Sequence, residues 1–361
     1  MRPPNAIFLS FRLGGTDGVS VETRKWEWAL GEIGFESRRV AGDFADGLRP
    51  DDTWLPFLEI DPPPGAEPEP DALGAALAGA DLVIVENLCS LPLNEVAATT
   101  AVDVLARHHG RVLFHHHDLP WERARLAHLE SFPPRRPNSL HVTINEQART
   151  ALAERGIEAH LIRNAFDLDP LPGDGPSTRQ AFGFATDDIV VLQPTRAIPR
   201  KEVARGIRFA EEIAARVPGR CVRFWITGPA EDGFGPELER MVNETEISVA
   251  VGRAPRPEDA YAAADTVVLP SSWEGFGNPV IEATVAGRPV AVAHYLVLDE
   301  LAALGLQLFS VDAPEVMAAV VQARTPASFD HNREVLRDHF DLADLPARIA
   351  QTFSAVGWTD W

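Results

Sequence analysis

The chain has 361 residues, 53 acidic against 33 basic side chains, a net charge of −20 and a hydrophobic share of 45%. This length suggests two domains at the usual ~150 residues each, with enough apolar sequence for a core in both. The charge excludes general nucleic-acid binding, which needs a basic face, and weakens docking on anionic lipid.

Residues 6–11, AIFLSF, read as a first strand. The run is too short for a signal peptide or a membrane helix, and no later segment is long enough to span a bilayer. Cys89 and Cys221 stand far apart beside apolar runs and read as buried thiols of a reducing compartment, so a cytoplasmic protein is expected. A loop over 12–17 leads to Gly18 and an amphipathic helix over 19–33. The loop sequence LGGTDGVS does not give G-x-G-x-x-G, and no acidic residue in strand context follows about 20 positions later, which argues against a dinucleotide site. Residues 42–75, rich in Asp, Pro and Gly, read as a surface excursion. Residues 81–86 predict a parallel strand, 91–108 a helix and 111–115 another strand. That strand runs into His115, His116, His117 and Asp118, at the end where α/β folds place ligands. Three adjacent histidines invite a metal reading, but only His115 and His117 share a face and no third ligand of suitable spacing is near, so no metal is expected. Trp121, Glu122 and Arg123 follow. A strand over 140–144, a helix to about 155 and a strand over 159–163 complete the first half. Asp167-Leu168-Asp169 is formally D-x-D, yet it precedes a Pro/Gly linker rather than following a nucleotide-binding unit.

The second half begins near Thr178, with strands predicted over 189–193, 222–227, 247–251 and 266–269 and helices to about 215 and over 257–264. Arg196 and Lys201 lie five apart in the loop after the first of these strands. Such cations are ordinarily solvated, but together they suit a phosphate group. Gly228 and Gly252-Arg253 follow the next two strands. After residues 266–269, Pro270-Ser271-Ser272 stops the strand, and a loop carries Glu274, Gly275, Phe276 and Gly277. Asn278 reads as a helix N-cap with Pro279 at the first helical position, and Gly287 ends the helix before a strand over 289–293. A strand, Gly-rich loop and helix aim a helix N-terminus above the sheet, where an anion fits. Glu274 and Glu282 stand eight positions apart around this turn; either one alone would read as helix capping. A helix is predicted over 312–323, with terminal helices over 332–361.

Glu274 and Glu282, with Gly-Phe-Gly and Asn-Pro between them, resemble the E-x7-E signature of GT-B glycosyltransferases, above all the retaining family 4 enzymes. Arg196 and Lys201 match that family's G-R-x-x-x-x-K with Thr195 in place of Gly. Residues 164–167 resemble its P-N-G-V-D crossing, and Tyr261 to Asp265 its Y-x-x-A-D. The resemblance spans nearly the whole chain, dense over 189–290 and sparse over 35–110. It implies an α/β, GT-B fold: two Rossmann-like domains, each with a parallel sheet, facing a central cleft. The acceptor-binding domain would cover 1–168, the nucleotide-sugar domain 169–340, and a last helix over 341–361 would cross back to the first.

The same resemblance implies the chemistry. A hexose would move, with retention, from an NDP-sugar of the GDP-mannose or UDP-glucose type to a hydroxyl of a small or glycan acceptor. Arg196 and Lys201 would stabilise the departing diphosphate, with Arg200 a further candidate. Glu274 and the 275–277 amides, with Asn278, would fix the sugar, Glu282 the ribose diol, and Gly18, Gly228 and the stretch at Arg253 the rest of the donor. His117 would orient sugar and acceptor, and Asp17, which departs from the family's first Gly in the 17–18 pair, would lie on the acceptor side with Asp118, Trp121 and Arg123. No permanently bound cofactor and no divalent metal is implied, the NDP-sugar being a co-substrate. TDGVSVE and HHHDLPWER also resemble family 4 enzymes that mannosylate small anionic glycosides such as glucosylglycerate. The rival readings are a GT-B NDP-sugar epimerase, a glycoside phosphorylase and a non-catalytic nucleotide-sugar-binding protein.

Overall fold

The computed structural model describes residues 2–323 and 329–361. It divides into two compact units, one formed by the residues up to 165 with Leu342–Trp361, the other by Phe166–Asp341. In the first unit the chain runs β1 (Asn5–Leu13), α1 (Gly18–Glu32), β2 (Glu36–Phe44), β3 (Thr53–Trp54), α2 (Pro70–Leu77), β4 (Leu82–Glu86), α3 (Glu95–Leu105), β5 (Arg111–His116), β6 (Ser139–Thr143), α4 (Glu146–Glu154) and β7 (His160–Leu161). All pairings are parallel, in the order β3-β2-β1-β4-β5-β6-β7. Both faces of such a sheet are covered, which is why β4 is buried at every position.

The second unit follows the same plan with α5 (Gly175–Ala181), β8 (Ile189–Gln193), α6 (Val203–Ala214), β9 (Val222–Ile226), α7 (Gly235–Glu244), β10 (Ser248–Val251), α8 (Pro257–Ala263), β11 (Thr266–Leu269), α9 (Asn278–Val285), β12 (Val290–Val292), α10 (Leu296–Ala303), β13 (Phe309–Ser310), α11 (Pro314–Ala323) and α12 (Phe329–Phe340). Its parallel sheet has the order β10-β9-β8-β11-β12-β13. In each sheet the direction of winding reverses once, between β1 and β4 in the first unit and between β8 and β11 in the second. The strand ends flanking such a reversal leave an open crevice where α/β proteins hold ligands.

The last helix, α13 (Leu345–Ala355), belongs to the first unit and packs on α1. Leu345, Ile349 and Phe353 recur every four residues, forming one buried stripe. Each such side chain contributes about 1.5–3 kcal/mol on burial. Helix starts are fixed locally by side-chain caps: Asp17, Asn94, Asn145 and Asp174 each accept a backbone N–H from three residues on. Among the described residues no helix is long and apolar enough to cross a membrane.

Three expectations change. Residues 42–75 are not a surface excursion throughout: β2 extends to Phe44, β3 pairs with it, and Leu55, Phe57 and Leu58 are buried in the core. The spacing of these apolar residues fits neither helix nor strand, so composition dominated the reading. Cys221 is exposed while Cys89 is buried, because Cys221 precedes β9 in a surface turn rather than lying within the strand. The α9 helix starts one residue earlier than expected. Gly277, at φ 93°, is its N-cap, Asn278 is its first residue, and Pro279 its second.

Candidate functional site

In the first unit the chemistry gathers where β4 and β5 end. Parallel pairing sets Glu86 opposite His115, and His117, two positions on, leaves the sheet on the same face. His115 Nδ1 and His117 Nε2 both lie against Glu86 Oε2, at 2.9 and 2.8 Å. His116 points the other way, to Ser90 Oγ at 2.5 Å and His141 at 2.9 Å. All of these histidines are buried. Burial would raise the Glu86 carboxyl, but the two imidazoles outweigh it and hold the group well below the usual carboxylate range. The expectation that no third ligand-type group stands near the His pair is therefore wrong. Glu86 supplies it from a neighbouring strand, and the three ligand atoms lie within 4.8 Å of one another. The separations are those of hydrogen bonds between buried side chains, so the arrangement is a hydrogen-bonded triad.

Asn87, held at φ 60°, organises the next turn. Its Oδ1 accepts from the amides of His117 and Asp118, at 3.2 and 3.1 Å, and its Nδ2 donates to Asp118 Oδ2 at 3.3 Å. Asp118 also accepts from Arg123 at 3.2 Å. Sequence reading missed Glu86 and Asn87, although their position at the end of a predicted strand was the available signal. Trp121 does not stand open as a stacking platform. The Arg155 guanidinium lies 3.7 Å over its ring, and the ring packs on the Leu119–Leu152 cluster. Asp17, placed on the acceptor side, caps α1 by accepting from Ser20 N and Oγ at 3.2 and 2.9 Å; Gly18 is the exposed first residue of that helix.

In the second unit, the loops after β8 and β11 meet at the reversal point. Lys201, buried, donates from Nζ to Glu274 Oε1, and Arg200 Nη1 donates to Glu274 Oε2 at 3.4 Å and to the Trp273 carbonyl at 3.2 Å. Burial lowers the Lys201 ammonium, with Glu274 opposing that shift; burial would raise Glu274, but Lys201 and Arg200 hold it ionised. Lys201 and Arg200, expected at the diphosphate, and Glu274, expected at the sugar, thus belong to one electrostatic cluster. Arg196 is set apart from it, half-exposed and paired to Glu231 at 2.6 Å. An exposed pair of this kind contributes about 0–1 kcal/mol and yields readily to a stronger anion. Sequence reading had no signal for Glu231, 35 residues away.

Gly228 explains how the Arg196 loop is held. A Cβ there would fall 2.5 Å from Arg196 Cα, so only glycine lets the two backbones cross. Glu282, one turn into α9, accepts from the buried Tyr261 hydroxyl at 2.7 Å. Phe276 buries its ring between Phe166 and Phe340, which anchors the glycine loop by its side chain. The Tyr295 hydroxyl, buried and without a hydrogen-bond partner among the described residues, lies beneath Gly277. The Gly252 amide donates to the Ile226 carbonyl and the Gly252 carbonyl accepts from Trp225 Nε1, while Arg253 beside it is exposed. The D-x-D at 167–169 is an Asx turn, with Asp167 Oδ1 accepting from Asp169 N at 3.0 Å.

A family model described as Glycosyl transferases group 1 matches residues 190–324. Mannosylglucosylglycerate synthase of Thermotoga maritima is 26% identical, over 93% of this chain and 96% of its own length. The enzyme of the same name from Petrotoga mobilis is 24% identical over 84% of this chain and 85% of its own. D-inositol 3-phosphate glycosyltransferase of Rhodococcus erythropolis is 35% identical, but over 34% of this chain and 29% of its own. Among solved structures, HepE of Anabaena in complex with UDP and glucose matches with a TM-score of 0.73 and 19% identity over 98% of this chain and 100% of that one. Sucrose-phosphate synthase of Thermosynechococcus elongatus matches with a TM-score of 0.75 and 17% identity, over 99% and 100%. At such identities the structural likeness speaks for the fold.

Proposed function

We propose that this chain, which has a GT-B fold and matches the group 1 glycosyl transferase model over residues 190–324, moves a hexose, with retention, from a nucleoside diphosphate sugar to a hydroxyl of a small anionic glycoside. The observation that carries the reading is the Lys201–Glu274–Arg200 cluster at the reversal of the second sheet. It combines fixed cations for a diphosphate with a carboxylate able to accept from sugar hydroxyls. Glu282, oriented by Tyr261, takes the ribose diol in this reading, and Arg196 leaves Glu231 for the diphosphate. The acceptor class is supported by the near full-length similarity to two mannosylglucosylglycerate synthases.

As the anomeric C–O bond to the diphosphate breaks, the acceptor hydroxyl attacks the same face of the sugar. Its proton passes to a donor phosphate oxygen, and the side-chain cations carry the leaving-group charge in place of a divalent metal. In this reading His117 orients the sugar and the acceptor. The test is incubation of the full chain with GDP-mannose or UDP-glucose and glucosylglycerate in EDTA, with the product's anomeric configuration read by NMR. An α-linked glycoside formed from an α-linked donor is expected. An epimerised NDP-sugar without acceptor, or a sugar phosphate formed only with added phosphate, would transfer the assignment to an epimerase or a phosphorylase.

A further inference from the structure

Beyond the roles given above, the first unit holds an unusual charge arrangement behind His117. The face of the sheet that carries Glu86, His115 and His117 is covered by α1: the Trp26 ring lies 4.5 Å from that of His115, and Glu22, one turn earlier, is buried. Glu86 Oε2, an acceptor only, meets a nitrogen of each histidine, so His115 Nδ1 and His117 Nε2 must both carry hydrogen. The remaining nitrogen of His117, Nδ1, has no hydrogen bond among the described residues and is not among the atoms sealed from solvent. It is the nitrogen a substrate can reach.

We propose that Glu86 is a positioning residue for the transfer reaction, holding His117 by Nε2–H as an imidazolium whose Nδ1–H donates to a substrate oxygen. His117 then acts as a charged hydrogen-bond donor and not as a base. The groups facing it are Glu86 on β4, Glu22 and Lys25 on α1, His115 and His116 on β5, and Asp118, which is itself paired to Arg123. Burial disfavours the charged ring, but the bond to Glu86 and the charges of Glu86, Glu22 and Asp118 outweigh it and raise His117 above the ordinary histidine value. Lys25 is paired to Glu22. Burial lowers His115 and His116, which stay neutral.

This inference rests on the transferase reading for what meets Nδ1, but the charge itself is readable without substrate. The full chain labelled with 15N-histidine is titrated by long-range 1H–15N NMR, the His117 signals being identified by their loss in His117→Gln. Both His117 nitrogens should be protonated at pH 7. In Glu86→Gln the midpoint should fall by about one pH unit or more. In turnover, kcat/KM of the wild type should decline on the alkaline side as His117 loses its proton. In Glu86→Gln that limb should move down equally, costing about tenfold at pH 8. A neutral His117 at pH 7 in the wild type overturns the proposal, as does a Glu86→Gln enzyme whose titration and alkaline limb stay in place. Should Glu86→Gln fail to fold, the wild-type spectrum alone decides. Absence of turnover with every donor, alongside a charged His117, would count against the transferase reading and not against the imidazolium.

Discussion

Lys201 carries the largest expected effect of any single side chain in the second unit. It is buried, tied to Glu274, and its backbone carbonyl accepts from Gln193 at 2.9 Å, so its position is fixed from both ends. In the proposed reaction Lys201→Ala would remove a preorganised cation from the leaving group, and it should lower kcat by about 10²-fold or more, as loss of one transition-state donor does elsewhere. Steady-state turnover of a folded variant at near wild-type rate would withdraw that role. A second prediction concerns Glu122. Burial, the largest influence, raises its carboxyl to about 7, Asp118 adds to the rise, and the Leu119 amide and Arg123 oppose it. A carboxyl whose folded value lies above its unfolded one contributes stability at low pH, and that contribution is lost as pH rises from about 4.5 through about 7. Glu122→Gln does not ionise, so its Tm should gain on the wild type by a few degrees between pH 5 and 8. Parallel Tm curves would show that the carboxyl ionises normally.

The loops do the positioning at the scale of elements, and what was legible there depended on how local each constraint is. The strand ends, Gly228, the 275–277 loop and the Glu274–Glu282 spacing all lie within short stretches, and sequence pattern located them to within a residue or two. Glu86 against His115 and His117, or Arg196 against Glu231, join residues about 30 apart through parallel pairing and loop crossing. No local pattern encodes such contacts. The α9 start shifted by one residue for a related reason. Asn278 has the chemistry of a cap, but the left-handed turn at Gly277 already begins the helix. Gly228→Ala tests the importance of loop crossing. Its Cβ would meet backbone atoms of Arg196 at 2.5 and 2.7 Å, and neither can yield as a side chain would. Destabilisation of about 1–3 kcal/mol is expected, with weakened nucleotide binding as the Arg196 loop moves. Gly31→Ala, on the exposed side of α1 with nothing within 4 Å of the new Cβ, is the control. It should raise Tm slightly, since Ala favours helix over Gly by about 0.5–1 kcal/mol. A Gly228→Ala protein as stable as wild type would mean that the crossing relaxes at no cost.

For the whole molecule, a parallel sheet in each unit, each with one reversal of winding, presents two sets of strand ends suited to ligands. The resemblance to GT-B enzymes implied this plan, and the near-continuous apolar runs punctuated by Gly and Pro supply its parallel strands. With a net charge of −20, the chain repels polyanions in general, and the proposed nucleoside diphosphate needs a place where cations are locally concentrated. That concentration is Arg196, Arg200 and Lys201 at one end of the second sheet. The account's central claim is that these side chains, without a metal, carry the donor diphosphate. It is tested most directly by melting the full chain and its Lys201→Ala variant with UDP, GDP or ADP, in EDTA and again with Mg²⁺. A nucleotide at about 100 times its dissociation constant adds about 2.7 kcal/mol of stability. One of the three should raise the wild-type Tm equally in EDTA and Mg²⁺, and Lys201→Ala should lose most of that shift. A shift that requires Mg²⁺, or one that survives intact in Lys201→Ala, would contradict the claim.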